Sequence, residues 1–267
     1  LIKYTKVVIF MTMQKIVSYN VNGIRAAINK GLLAWMKEEK PGILCIQETK
    51  AQPDQVDMDP FRKIGYTDYW HSAEKKGYSG VLILTNREPD NIAIGMNLSD
   101  YDSEGRVIRM DMGNISFINV YIPSGTTGDV RQDFKMKFLD DFLNFLTDLR
   151  KKRPNLLVCG DFNIAHREID IHNPVSNKNT SGFLPEERAW IDKFLERGFV
   201  DTYRYKHPDI VKYSWWSFRS NARSKNLGWR LDYHMVTEAL AARIKEAGIT
   251  NEAVHSDHCP VWVDLDI

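Results

Sequence analysis

Five segments of the chain set oxygen-bearing side chains at the border of an apolar run. Asn20 and Asn22 close the run Lys15–Asn20, and Glu48 closes Ile43–Gln47. Asp161 and Asn163 close Asn155–Cys159. Asp232 lies in Leu231–Val236, and Asp257 and His258 precede Pro260–Leu265. Glu48, Asp161, Asp232 and Asp257 are hard oxygen donors, which suit Mg²⁺ or Mn²⁺ and not zinc. His258 adjoins a carboxylate, and an Asp partner fixes an imidazole's tautomer and favours its charged form. Metal, amide donors and a cationic imidazole together meet the needs of a phosphodiester, because they stabilise charge developing on its non-bridging oxygens. A remaining carboxylate can orient and deprotonate water. Taken singly, each segment has a plainer explanation: Gly160–Asn163 as a tight turn, Glu48 as a surface partner of Lys50, Asn20 and Asn22 as turn formers around Gly23. Five strand ends with the same chemistry are harder to explain that way.

A second signal lies in Tyr203–Arg230. It holds seven basic residues and one acid, Asp209, interleaved with Tyr203, Tyr205, Tyr213, Trp215, Trp216, Phe218 and Trp229. Basic groups grip phosphates, and aromatic rings stack on bases or line a sugar pocket. Of Trp215 and Trp216, strand alternation puts one in the core and one outward. The cationic run Asn221–Lys225 is read as a binding element. The whole chain has a net charge of only +1. That value is a cancellation between this stretch and an acidic remainder, and it does not exclude a nucleic-acid partner. Tyr121, next to Pro123 at a strand end, offers either a buried hydroxyl or a phosphate contact. Lys75 and Lys76 flank a Gly77–Gly80 loop that could touch phosphate.

The elements that must carry these groups alternate along 267 residues. Strands are expected at Lys15–Asn20, Ile43–Gln47, Gly80–Thr85, Arg106–Met112, Ile115–Ile122, Asn155–Cys159, Leu231–Val236 and Pro260–Leu265. Met112-Gly113-Asn114 reads as a hairpin turn. Helices are expected over Lys30–Glu39, over Val130–Lys151, and from Pro185. The pattern predicts an α/β fold, a sandwich of mixed sheets flanked by helices. With 43% hydrophobic and 27% charged residues, the composition excludes intrinsic disorder. Cys45, Cys159 and Cys259 are too few and too scattered for a disulfide framework, which points to a reducing compartment. No apolar run has the length of a membrane helix. Residues 1–12 are expected to be a non-native or disordered extension, with one domain over 13–267.

Read in order, the motifs resemble one family. They are Ser18-Tyr19-Asn20-Val21-Asn22-Gly23-Ile24-Arg25, Leu44-Cys45-Ile46-Gln47-Glu48-Thr49-Lys50, Gly160-Asp161-Phe162-Asn163, Ser181-Gly182-Phe183, Asn221-Ala222-Arg223-Ser224-Lys225, Gly228-Trp229-Arg230-Leu231-Asp232-Tyr233 and Ser256-Asp257-His258-Cys259-Pro260. The sequence is similar to the exonuclease III type of apurinic/apyrimidinic endonuclease, in the endonuclease/exonuclease/phosphatase superfamily. The resemblance runs from about residue 14 to the end of the chain, and its Asn-Ala-Arg-Ser-Lys and Gly-Trp-Arg-Leu-Asp-Tyr stretches are highly specific to that branch.

The resemblance implies a four-layer sandwich, deoxyribonuclease I-like, of two mixed β-sheets flanked by helices. It implies Mg²⁺-dependent hydrolysis 5′ to abasic sites in duplex DNA, with Mn²⁺ as a substitute. It also implies 3′→5′ exonuclease, 3′-phosphodiesterase and 3′-phosphatase action on blocked 3′ ends. Carried over by position, Glu48 is the main metal ligand, with Asn20 and Asn22 beside it and Asp257 as a further carboxylate. Asp161 activates water, supported by Asn163, and both also count toward the metal set. Asp232 orients His258, which contacts the scissile phosphate. Tyr121 and Asn177 contact phosphate or its leaving oxygen. Trp215, Trp229 and Leu231 line the pocket for a flipped-out baseless sugar. Arg223, Lys225, Arg25 and Lys75 complete the substrate-binding set. Asn22, Ser124 and Thr127 stand where some members carry Asp, an amide residue and Arg. The expected molecule is a monomer, cytoplasmic and nucleoid-associated if prokaryotic. The alternatives are a nonspecific nuclease or another phosphodiesterase of the superfamily, and a non-catalytic DNA-binding module.

Overall fold

The computed structural model describes residues 13–267, so the expected extension, 1–12, lies outside the described residues. The strands are β1 (Met13–Asn20), β2 (Ile43–Gln47), β3 (Thr67–His71), β4 (Val81–Thr85), β5 (Asn91–Ile94), β6 (Val107–Met112), β7 (Ile115–Tyr121), β8 (Asn155–Asp161), β9 (Phe199–Asp201), β10 (Trp215–Trp216), β11 (Gly228–Trp229), β12 (Asp232–Thr237), β13 (Ile244–Ile249) and β14 (Val261–Asp266). Two six-stranded sheets form, in the orders β13-β14-β1-β2-β4-β3 and β5-β6-β7-β8-β12-β9, and β10 pairs with β11. Each large sheet has a single parallel pair at its centre, β1 with β2 and β7 with β8; all its other pairings are antiparallel.

Alternation along the strands explains the layering. Ile16, Cys45, Ile83, Phe117, Leu157 and Cys159 point into one core between the sheets. Val17, Tyr19, Leu44 and Ile46 face outward onto the helices Ile24–Asn29 and Leu32–Glu39. Leu156, Val158 and Met235 face the helices Asp129–Lys152 and Pro185–Glu196, which bury Phe138, Phe142, Trp190 and Phe194 against them. Central strands buried on both faces read as continuous apolar runs, which is why they were visible in the sequence.

Two departures have local causes. The helix expected over Lys30–Glu39 starts at Leu32, because Gly31, whose φ of 100° lies in the left-handed region, separates it from a further helix, Ile24–Asn29, that the sequence reading did not give. Strand β8 runs on through Gly160 to Asp161. A Cβ at residue 160 would sit 1.8 Å from the Val120 carbonyl oxygen, so only glycine lets β7 and β8 approach there.

Candidate active site

The two parallel pairs end at one rim. Asn20 is the last residue of β1, opposite Gln47; Tyr121 ends β7 opposite Asp161, which ends β8. Strand β12 runs antiparallel to β8, so it begins at the same rim, with Asp232 facing Asp161. His258 arrives just before β14 through a bridge to Trp215. Glu48 and Asn22 follow β2 and β1 with φ of 53° and 47°, and Asn163 follows β8 with φ of 52°. Asparagine tolerates this conformation and glutamate does not. Backbone bonds hold Glu48 there: its carbonyl accepts from Gly23 N at 2.8 Å, and its neighbour Thr49 N donates to Gly80 O at 3.1 Å.

At the rim these groups form one hydrogen-bonded constellation. Asn20 Nδ2 donates to Glu48 Oε1 and to Asp161 Oδ2, both at 2.8 Å. Asn163 N donates to Asp161 Oδ1 at 2.8 Å. Asn22 Nδ2 donates to Asp257 Oδ1 at 2.9 Å, and Trp215 Nε1 donates to Asp257 Oδ2 at 3.1 Å. His258 Nδ1 pairs with Asp232 Oδ2 at 2.9 Å, and Nε2 lies 3.8 Å from Asp161 Oδ2. Glu48, Asp161 and His258 bring ligand atoms within 4.8 Å of one another.

The electrostatics follow from burial and neighbours. Burial, with Asp232 and Glu48 adding repulsion, pushes the Asp161 carboxyl up to about 7 despite the His258 charge. Burial disfavours the His258 imidazolium, but Asp232 and Asp161 overcome it and hold the ring up to about 10. Burial also opposes the charge of Glu48, yet Lys50 and the Asn20 amide bring it below the usual carboxylate range. Burial and then Glu48 raise the Tyr121 hydroxyl.

Four carboxylates, Glu48, Asp161, Asp232 and Asp257, thus face two cations, His258 and Lys50, and burial disfavours the charge of Asp161 most. This donor set fits a hard divalent cation. Glu48, Asn22, Asp257 and Asp161 would hold it. Asn20, expected beside them, has its oxygen accepting from Asn22 N at 3.0 Å and its amide donating to both Glu48 and Asp161.

The constellation lines a cleft of about 390 Å³ together with Trp215, Trp229 and Leu231 and with Tyr121, Ser124 and Thr126. Trp216 is the core member of the Trp pair, 2% exposed. Asn20 and Asp232 lie behind the lining.

Other expected binding residues are placed elsewhere. Asn177 does not line the cleft; its amide turns back to His172 O and Asn173 O. Arg223 spends its guanidinium on the carbonyls of Asn251, Ala253 and Ser256 and stacks over Trp216, so it supports the loop before Asp257. Arg204 and Arg230 are buried against Asp170, with Arg230 also on Asp201, so the basic stretch presents less charge than its composition suggests. Lys225, Arg25 and Lys75 are exposed, outside the cleft lining.

Ser214 escaped the sequence reading, and Lys50 was read only as a surface partner of Glu48. Ser214 Oγ donates to Asp232 Oδ2 at 2.6 Å and accepts from Asp232 N, fixing the partner of His258. Lys50 Nζ lies 2.7 Å from Glu48 Oε2 and 2.5 Å from Asn22 Oδ1, inside the cleft and not on an open surface. Ser214's only sequence signal was its place before Trp215.

A sandwich with a hard-cation site and an ordered imidazolium at one rim defines a metal-dependent phosphoester hydrolase. The endonuclease/exonuclease/phosphatase family model matches residues 17–258. An exodeoxyribonuclease of Bacillus subtilis is 43% identical over 95% of this chain and 100% of its own length. The DNA repair nuclease APEX1 of Danio rerio is 41% identical over 95% of this chain and 82% of its own. An AP endonuclease structure from Archaeoglobus fulgidus superposes with a TM-score of 0.88 at 33% identity, covering 95% of this chain and 100% of that one. The chain belongs to this family, as an enzyme of its exonuclease III type of apurinic/apyrimidinic endonuclease.

Proposed function

We propose that the chain is a Mg²⁺-dependent DNA-repair nuclease that cleaves duplex DNA 5′ to abasic sites and leaves a 3′-hydroxyl. Exonuclease, 3′-phosphodiesterase and 3′-phosphatase action would share the site. One observation carries the reading: the acidic cluster and the apolar group of Trp215, Trp229 and Leu231 line a single cleft. An apolar wall suits a sugar that has lost its base, and flipping is cheapest where pairing is already lost. Two relatives add support through their names, a DNA repair nuclease and an AP endonuclease. A 3′ phosphatase from Neisseria, bound to a product DNA hairpin, superposes with a TM-score of 0.89 at 27% identity and supports the side activities.

In this reading a bound Mg²⁺, held by Glu48, Asn22, Asp257 and Asp161, would supply positive charge against the scissile phosphate. Asp161, aimed by Asn20 and Asn163, takes a proton from water, and its carboxyl near 7 suits that task at neutral pH. His258, held cationic by Asp232, contacts a phosphate oxygen, and Tyr121 contacts phosphate or the leaving oxygen. Residues 13–267 act as one catalytic domain and as a monomer, cytoplasmic and nucleoid-associated if prokaryotic. No helix among the described residues is long and apolar enough to cross a membrane.

The test uses end-labelled duplexes carrying an abasic analogue, a 3′-phosphate or no lesion, with Mg²⁺ and with chelator. Mg²⁺-dependent nicking at the abasic analogue is expected. Metal-independent binding without cleavage, or hydrolysis of lipid phosphodiesters alone, would overturn the proposal.

A further inference from the structure

Behind the cleft, Lys135 and Glu187 are each 0% exposed. Lys135 comes from the helix Asp129–Lys152 and Glu187 from the helix Pro185–Glu196. Lys135 Nζ donates to Glu187 Oε1 at 2.6 Å and to the Asn163 carbonyl at 2.7 Å. Asn163 in turn donates its N–H to Asp161 Oδ1 at 2.8 Å and its amide to Ile122 O at 2.9 Å. The other oxygen of Glu187 accepts from Gly182 N at 2.6 Å and Leu184 N at 3.0 Å. Gly182 lines the cleft, and a Cβ on it would meet the Trp229 ring at 3.0 Å. Gln132 joins the network, donating to Glu187 Oε1 at 3.1 Å and accepting from Ser181 Oγ at 2.8 Å.

We propose that the Lys135–Glu187 pair is a positioning device that sets both walls of the cleft at once. Lys135 fixes the Asn163 backbone in its left-handed conformation, and through it the orientation of Asp161. Glu187 fixes the Ser181–Gly182 wall against Trp229. Neither residue lines the cleft, so both act through others. Stability alone does not explain the pair. Two charges taken fully out of water lose solvation, and neutral pairs of similar volume often fold equally well. What a neutral pair lacks is a cation directed at the Asn163 carbonyl. The activity readout rests on the nuclease proposed above; the metal-binding readout does not.

The test is the neutral pair Lys135→Met with Glu187→Gln, in which the Gln carbonyl still caps Gly182 N and Leu184 N. We expect a melting temperature close to wild type. The kcat for abasic incision and the affinity for Mn²⁺ by calorimetry are each expected to fall about 10-fold or more, since groups that orient ligands typically cost 10–100-fold. KM should move much less than kcat. A well-folded pair with wild-type kcat and wild-type Mn²⁺ affinity overturns the inference. Should that pair fail to fold, Gln132→Leu loosens the same network more gently. It should keep its melting temperature and lose about 3-fold in kcat, a small part of what a misplaced reacting group can cost. Unchanged kcat there is equally fatal. If the wild-type protein incises no abasic duplex, the proposed function fails, and Mn²⁺ affinity alone decides for the pair.

Discussion

Replacing Asp161 by Asn should abolish cleavage and, in chelator at pH 8, make the protein more stable. Asp161 is 1% exposed, and burial with carboxylate neighbours lifts its carboxyl to about 7. An unfolded Asp titrates near 4, so the shift is about three units, or roughly 4 kcal/mol. The sign follows from linkage. A folded pKa above the unfolded one means stability that is fully present below about pH 4 and is lost as pH rises to about 7. Asn removes that loss. It also keeps only one acceptor where Asn20 Nδ2 and Asn163 N both donate at 2.8 Å, so one bond worth about 1 kcal/mol goes. The net gain at pH 8 is about 2–3 kcal/mol, a rise of about 5–10 °C in Tm for a chain of this size. At pH 5 the gain should shrink to about 1 kcal/mol or less, because most of the wild-type carboxyl is then protonated. Thermal melts in chelator at both pH values read this, and single-turnover incision with Mg²⁺ reads a loss of about 10²–10⁴-fold. A Tm that falls at pH 8, or a gain equal at both pH values, refutes the electrostatic account. Retained incision refutes the base.

Glu48→Gln should weaken Mn²⁺ binding by about 10-fold or more in calorimetry, since a ligating charge is lost; unchanged affinity would remove Glu48 from the metal set. Trp229→Ala should reduce abasic incision more than 3′→5′ exonuclease action on undamaged duplex, and equal losses would take the ring out of the sugar pocket. His234 is buried in β12, and burial pushes its imidazole down to about 3. A folded pKa below the unfolded one means stability present above about 6.5 and lost as pH falls toward 3; at pH 4.5 the loss is roughly 3 kcal/mol. His234→Leu should therefore flatten the acid limb of urea-denaturation stability between pH 7 and 4.5, and an unchanged limb would contradict the assignment.

The elements that could be read from the chain were those buried on both faces. Ile43–Gln47 was bounded to the residue, and Ile115–Ile122 and Val130–Lys151 to within one residue at an end. In the two large sheets four strands went unread: β3, β5, β9 and β13. β3 and β13 mix exposed or half-buried residues with buried ones, β5 has only exposed and half-buried ones, so their apolar pattern is diluted, and β9 has three residues. At the site, the polar residues bordering apolar runs marked the strand ends, and the structure gathers Glu48, Asp161, Asp257 and His258 in one cleft. What could not be read was the direction of long basic side chains. Arg230 looked like part of a phosphate-gripping stretch until Asp170, sixty positions away, claimed it. Arg223 is turned inward for the same reason, by carbonyls about thirty positions away, whereas the Asn177 amide is spent on the nearby carbonyls of His172 and Asn173.

The site also concentrates unfavourable terms that the rest of the fold must carry. Glu48 and Lys50 occupy left-handed backbone conformations without being glycine or asparagine. Such residues cost on the order of 1–3 kcal/mol each and persist only where surrounding structure over-determines them. Here the clamp is the paired loops, with Lys50 N on Ser79 O at 2.9 Å and Ile24 N on Thr49 O at 3.0 Å. Asp161 adds a buried carboxyl lifted to about 7, and Asp232 Oδ1 is buried without a partner. A divalent cation would offset the burial of the Asp161 charge and the repulsion that Asp232 and Glu48 add to it, and leave the backbone strain in place. Metal should then stabilise wild type far more than Asp161→Asn. A melting-temperature increment on adding Mn²⁺ that is equal in the two proteins would mean that the ion does not bind against Asp161.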